Sequence, residues 1–311
     1  MNIIRGLAHL KRFEKGCVLT IGNFDGVHIG HRAIINIAQQ EARALQLPLV
    51  VITFDPQPRE YFVEKSAPAR LSRFREKVTQ LQKEGVEHIL RLPFNANIAN
   101  FSAEDFVIKI LVEKFNVKCV VVGQDFRFGK GRAGDIILLK TLGVTHGFSV
   151  SLVPEVLYQE QRVSSSRIRE ALRVHDFTSV QALLGRAYSM EGRVAHGHQR
   201  GRIIGFPTAN IFLHRAVSPV GGVYAVKLYG AEKEGVCGVA NVGNRPTVDG
   251  SRTLLEVHLF DFDRDIYGAY VRVEFFHHLR DEKKFDSFEA LKQQILLDAR
   301  EARDYFKRTG V

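Results

Sequence analysis

The 311-residue chain has no tryptophan, two methionines, nine prolines and three cysteines. Cys17, Cys119 and Cys237 are odd in number and far apart, so neither a disulfide framework nor a paired metal-type spacing is present. No apolar run approaches the ~20 residues that span a bilayer. The opening MNIIRGLAHLKRFEKG also lacks the apolar core of a signal peptide. The expectation is a cytoplasmic protein in a reducing compartment, without a membrane role. Low-complexity composition is missing too. With 45% hydrophobic and 25% charged residues, the chain is neither disordered nor fibrous.

What is present in excess is positive charge, +10 overall. Residues 1–186 hold 26 basic and 18 acidic residues (+8), and residues 187–311 hold the remaining 18 and 16 (+2). A basic first half attracts nucleic acid, acidic lipid or phosphorylated small molecules, and charge alone does not choose among them.

The halves also differ in pattern. In the first, β-branched runs at 17–22, 49–54, 87–92, 119–123 and 148–153 alternate with helical spacing at 33–45, 73–84 and after Ser102. In the helix at 33–45, Ile34, Ile37, Ala38 and Leu45 fall on one face. This predicts a doubly wound α/β domain around a parallel sheet. Helices are predicted from 167 to about 175 and from 178 to 184. Beyond them, evenly spaced strands at 188–195, 223–229, 236–242, 254–259 and 270–276 predict a small antiparallel β-barrel. A terminal helix at 288–306, capped by Asp286 or Ser287, places Leu291, Ile295 and Ala299 on one stripe. The predicted domains are 1–186 and 187–311.

Chemistry concentrates in loops at predicted strand ends. Gly22, Asn23, Phe24, Asp25, Gly26, Val27, His28, Ile29, Gly30 and His31 run from a strand into a helix. Glycines admit close backbone approach, and a helix N-terminus favours phosphate. His28 and His31, three apart, can aim two imidazole donors at one pentacoordinate phosphorus. Ser164, Ser165, Ser166 and Arg169 open another helix and form a second phosphate clamp. Asp125, Phe126 and Phe128 lie in a glycine- and cation-rich loop, predicted to move over a ligand and stack a flat ring. GNFDGVHIGH, TFDPQPRE, VGQDFRFG and SSSRIR, in this order, resemble the adenylyltransferase module of bacterial bifunctional riboflavin kinase/FMN adenylyltransferases. That resemblance implies AMP transfer from ATP to FMN with release of pyrophosphate. It assigns His28 and His31 to the transferring phosphoryl group, Ser164–Ser166 and Arg169 to ATP phosphates, and Asn23 and Asp25 to the nucleotide-binding loop. Phe62, Asp125, Phe126 and Phe128 would contact flavin or order the site. Gln57 stands where the family often has histidine.

In the second half, Gly197, Gly201 and Gly205 permit close approach to phosphates around Arg202 and Pro207. Thr208 and Asn210, two apart, supply hard oxygens suited to Mg²⁺. Glu256 and His258 share one strand face, where a carboxylate can take a proton from an attacking hydroxyl. GRIIGFPTAN, GGVYAV, ANVGNRPTV, LLEVHLFDFDRDIYG and LRDEKKFDSFEAL resemble the riboflavin kinase module of the same family. The implied roles are Glu256 as base on the ribityl 5′-hydroxyl, Thr208 and Asn210 as Mg²⁺ ligands, the Gly197–Pro207 loop over ADP/ATP phosphates, and Arg280 and Phe285 closing over flavin. The implied small molecules are ATP, riboflavin, FMN and FAD, with no nucleic-acid partner. His196, His198, His277 and His278 have no Cys pair or H-E-x-x-H pattern near them and read as polar barrel-rim residues.

Overall fold

In the computed structural model, residues 1–63, 66–196, 205–215, 217–247 and 250–310 are described, with no side chains described at 244–252. Six strands form one parallel sheet: β1 (Asn2–Arg5), β2 (Cys17–Ile21), β3 (Leu49–Phe54), β4 (His88–Leu92), β5 (Val117–Gly123) and β6 (Ser149–Val153). Their order is β1-β4-β3-β2-β5-β6. The chain winds outward from β2 through β3 and β4, then returns to the other side of β2 as β5. The crevice beyond the carboxyl ends of β2 and β5 is therefore the topological switch point, where open α/β sheets bind ligands.

The strands are apolar on both faces because both faces are covered. Cys17, Leu19, Ile21, Val120 and Val122 pack with Phe106, Ile110 and Leu111 on one side. Val18, Val51, Cys119 and Val121 pack with Ile35, Ala38, Val78 and Leu81 on the other. The helices are α1 (Ile29–Leu45), α2 (Pro58–Phe62), α3 (Phe74–Lys83), α4 (Ala96–Ala99), α5 (Ala103–Asp105, continuing as a π-helix over Phe106–Val112) and α6 (Ile136–His146). The buried stripe of α1 is Ile35, Ala38 and Ala42, rather than the predicted face ending at Leu45, which is exposed. The helix enters at Ile29, and that entry sets which side meets the sheet. Strand β1 was not predicted: four residues on the sheet edge carry too short a pattern to read.

After the two-residue strands β7 (Leu157–Tyr158) and β8 (Gln161–Arg162) come α7 (Ser165–Arg173) and α8 (Phe177–Leu184). A closed antiparallel barrel follows, ordered β10-β13-β12-β11-β14-β9. Its strands are β9 (Tyr188–Ala195), β10 (Ala209–Phe212), β11 (Gly222–Tyr229), β12 (Val236–Thr247), β13 (Gly250–Leu259) and β14 (Tyr270–Arg280). The terminal helix α9 (Phe288–Thr309) packs Ala299, Ala302 and Phe306 on the barrel wall. Ser287 caps it, accepting from the Ala290 N–H. Packing divides the chain into Met1–Pro68 with Phe74–Ser165, and Ala69–Arg73 with Ser166–Val311. Phe177 of α8 sits edge-on against Tyr224 of β11.

Candidate functional site

In the first unit, β2 ends at Gly22 and the chain turns through Phe24 (φ 46), Gly26 (φ 83) and Val27 (φ 42) into α1. Two bulky residues held at positive φ are strained, and strain of this kind clusters at binding loops. Phe24, Asp25 and Val27 are buried. The Thr53 hydroxyl donates to the Asn23 carbonyl (3.2 Å), and the Ser165 hydroxyl to that of Asp25 (2.9 Å). The Phe24 ring belongs to the core and props the His31 ring at 5.1 Å.

His28 is the N-cap of α1. Its Nδ1 accepts from the His31 N–H (3.3 Å), and the His31 Nδ1 accepts from the His28 N–H (3.4 Å). The rings stack at 3.6 Å. With both Nδ1 atoms accepting, each ring proton sits on Nε2, so both imidazoles present an Nε2–H donor. A Cβ on Gly30 would lie 3.2 Å from the His28 ring, so glycine is what lets that ring fold over the helix start.

The loop after β5 is tied down by its own backbone. Phe128 and Gly134 exchange backbone hydrogen bonds, and Lys130 N–H donates to the Phe101 carbonyl. Phe128 is in the core beneath Phe126, whose ring stacks on it at 5.6 Å. The two phenylalanines thus cover each other and Phe106. Asp125 pairs with Arg162 at 2.6 Å. Phe62, 64% exposed, joins Tyr61 and Phe94 in an aromatic cluster. Phe94 also meets Phe54 at the end of β3. Gln57 is the buried N-cap of α2, its N–H donating to the Glu60 carboxylate (2.8 Å).

Ser164 and Ser165 fall in the first unit, and Ser166 and Arg169 in the second. The Arg169 guanidinium donates through Nε to the Ala69 carbonyl (2.6 Å).

Two cavities flank β13 of the barrel. One, of about 430 Å³, lies between the barrel wall and α9 and is lined by Glu256, His258, Thr208, Arg280 and Phe285. The stripe Leu291, Ile295 and Ala299 of α9 lines this cavity. The other, of about 470 Å³, is lined by Pro207, Thr208, Asn210, Val257, Leu259 and the loop Phe262–Tyr267. Alternate residues of β13 face the two spaces, so the strand is the partition between them. Thr208 borders both.

Asn210 lies opposite Glu256 in the β10–β13 register, and Asn241 lies opposite it from β12. The Asn210 amide donates to the Thr208 carbonyl (3.3 Å), which leaves its oxygen as a hard donor. His258 Nδ1 lies 3.0 Å from the Pro207 carbonyl. Burial holds its pKa below the usual histidine value, against that carbonyl's opposite pull, so the neutral ring donates and pins the 207–208 turn. Gly205 has φ 82. Gly197, Gly201 and Arg202 lie outside the described residues, as does His198.

Two features here escaped sequence reading. Asp298, 4% exposed, binds the Arg280 guanidinium in a bidentate pair at 2.8–3.1 Å. Strand β10 is not among the predicted strands, since four residues after a glycine run show no period. Among the described residues, no helix is long and apolar enough to cross a membrane.

Known protein families match both halves of the chain. Residues 10–167 match the FAD synthetase family model, and residues 184–306 the riboflavin kinase model. The chain belongs to the bifunctional riboflavin kinase/FMN adenylyltransferase family. Relatives of that name from Haemophilus influenzae and Escherichia coli K12 are 47% and 45% identical, and each alignment spans 98–99% of this chain and 99% of the relative. One from Pseudomonas fluorescens is 44% identical over 97% of both. A crystal structure described as a macrolide-efflux protein from Streptococcus pneumoniae superposes with a TM-score of 0.83 at 32% identity, covering 97% of this chain and 99% of that one.

Proposed function

We propose the following division of labour between the two units. As a member of its family, the chain phosphorylates riboflavin to FMN and adenylylates FMN to FAD, using ATP in both steps. In our reading residues 1–186 carry the adenylylation and 187–311 the phosphorylation. The observation that carries this reading is that His28/His31 and Thr208/Glu256 stand in separate packing units, each beside its own phosphate-suited backbone.

Within residues 1–186 an FMN phosphate oxygen attacks the α-phosphorus of ATP, and pyrophosphate leaves. The Nε2–H donors of His28 and His31 meet the charge that builds on the phosphorus. Gly22, Asn23 and Asp25 shape the loop around the nucleotide, with Phe24 as the prop for His31. Ser164, Ser165, Ser166 and Arg169 hold ATP phosphates. Phe62 and Phe126 contact the flavin, and Phe128 and the Asp125–Arg162 pair keep the loop in place. Gln57 serves as a helix cap.

In the second unit riboflavin occupies the 430 Å³ cavity under Arg280 and Phe285, and ATP the 470 Å³ cavity. The Gly197–Pro207 segment, with Gly201, Arg202 and Gly205, covers the nucleotide phosphates. Glu256 takes the proton of the ribityl 5′-hydroxyl as that oxygen attacks the γ-phosphorus and ADP leaves. The Thr208 hydroxyl and Asn210 carbonyl oxygens suit Mg²⁺, a hard cation that keeps several waters. Bound there, Mg²⁺ supplies neutralisation of phosphate charge. A cytoplasmic setting fits the three unbridged cysteines.

The test is to incubate the purified chain with riboflavin, ATP and Mg²⁺ and separate the flavins. FMN followed by FAD supports the reading. Loss of both riboflavin phosphorylation and, with FMN supplied, adenylylation in either folded single variant, His28→Asn or Glu256→Gln, removes the assignment of separate sites.

A further inference from the structure

Away from both cavities described above, His175, His278 and Asp281 bring three metal-capable atoms within 4.8 Å of one another. This is the one such group among the described residues. His175 stands at the corner between α7 and α8 with φ 59, and His278 and Asp281 lie at and just past the end of β14. The imidazole rings stack at 3.5 Å, 1° from parallel. Asp281 Oδ1 is 3.2 Å from His278 Nε2 and 3.8 Å from His175 Nε2.

Hydrogen bonding accounts poorly for this arrangement. The Tyr224 hydroxyl donates to the Gly221 carbonyl (2.6 Å), so its oxygen is left to accept from His175 Nδ1 at 3.3 Å. That places the His175 proton on Nδ1 and turns the Nε2 lone pair toward a carboxylate. His278 Nε2 is buried and close to Asp281, yet lacks hydrogen-bond geometry. A lone pair facing a carboxylate oxygen is repulsive, and either a proton on the ring nitrogen or a metal cation between the two relieves it.

We propose that His175, His278 and Asp281 form a binding site for a first-row transition-metal ion of the zinc class. Metal–nitrogen and metal–oxygen bonds of about 2.0–2.1 Å in a tetrahedron set neighbouring donor atoms about 3.3 Å apart. The 3.2 and 3.8 Å separations already lie near that edge length. The rings need only tilt until their lone pairs converge. Two imidazoles and one carboxylate suit zinc in preference to magnesium or calcium, which take oxygen sets. Asp281 is 84% exposed, so the fourth position opens to water. Tyr224 is the outer partner that orients a metal-bound histidine. An ion there fastens the segment carrying Arg280 and Glu282, both on the wall of the 430 Å³ cavity, to the α7–α8 corner.

The experiment uses the full chain, stripped with chelator, without nucleotide and titrated with Co²⁺. The expected result is one equivalent bound with the strong visible absorption of tetrahedral cobalt, displaced by Zn²⁺. Asp281→Asn, an exposed change that leaves packing intact, and His175→Asn each weaken binding at least about tenfold, and Tyr224→Phe by about 10–100-fold. His277→Asn leaves binding unchanged, since His277 stacks on Tyr305 instead. Absence of the band in the wild-type chain, or its survival at full affinity in both ligand variants, overturns the proposal. This readout holds whether or not the neighbouring cavity takes riboflavin.

Discussion

His28 and His31 cap one helix turn for each other, each Nδ1 taking the other's backbone N–H. The same two hydrogen bonds that start α1 set the tautomer that presents two Nε2–H donors. Structure and chemistry are therefore coupled at these residues, and substitutions can separate them.

His28→Ala removes both cap and donor. It is expected to cost about 1 kcal/mol of stability and to abolish FAD formation while sparing FMN formation. His28→Asn keeps a capping side chain. Its unfolding midpoint should stay near wild type, while adenylylation falls by about 10²–10³. Paired denaturation curves and FMN-to-FAD assays check this, and wild-type adenylylation in the Asn variant would rule out the donor role.

Gly30→Ala tests the close approach. Alanine is favoured over glycine inside a helix by about 1 kcal/mol, and the φ of Gly30 is not in the left-handed region. Stability is expected to hold or rise. The added Cβ meets the His28 ring, so FAD formation drops by tenfold or more. A variant that is more stable and fully active would show that the ring has room to move.

Glu256→Gln keeps size and removes the base. Riboflavin phosphorylation is expected to fall by about 10²–10⁴ in kcat, with FAD formation from supplied FMN intact. A change confined to the KM for riboflavin would make Glu256 a binding group and not a base.

Asp298→Asn leaves the Arg280 guanidinium facing a neutral amide in a largely buried place. Breaking such a pair from one side costs about 3 kcal/mol. The barrel unit should unfold earlier in denaturant, and the KM for riboflavin should rise because Arg280 lines the 430 Å³ cavity proposed to hold it. Unchanged KM would place Arg280 outside flavin binding.

Acid sensitivity follows from His258 and His278, both pushed below the ordinary histidine value chiefly by burial. The folded chain binds fewer protons than the unfolded chain once pH drops past about 6.5, the unfolded histidine value. Stability is full above that point and declines as pH falls toward the lowered folded values. Urea midpoints measured from pH 7.5 to 5 should fall below about 6.5. His258→Asn, which can still donate to Pro207, should flatten part of that decline, and an identical slope in the variant would count against His258.

The chain's order of residues was enough to predict the two-domain organisation, the parallel sheet and the barrel. Buried parallel strands read as unbroken apolar runs, and barrel strands repeat at even spacing between glycine turns. It also contained the H-x-G-H and T-x-N clusters, because each cluster is local, a few residues beside one strand. Tertiary packing decided the rest. The stripe at Leu291, Ile295 and Ala299 looks like core in one dimension and lines a cavity in three. Phe126 and Phe128 look like a cover for a ligand, and Phe128 covers the protein's own core. Asp298 against Arg280, Thr208 between two cavities, and His175 beside His278 join residues distant in sequence. Such pairs arise only when the barrel closes, for spacing along a chain reports periodicity within one element and carries no record of which elements meet.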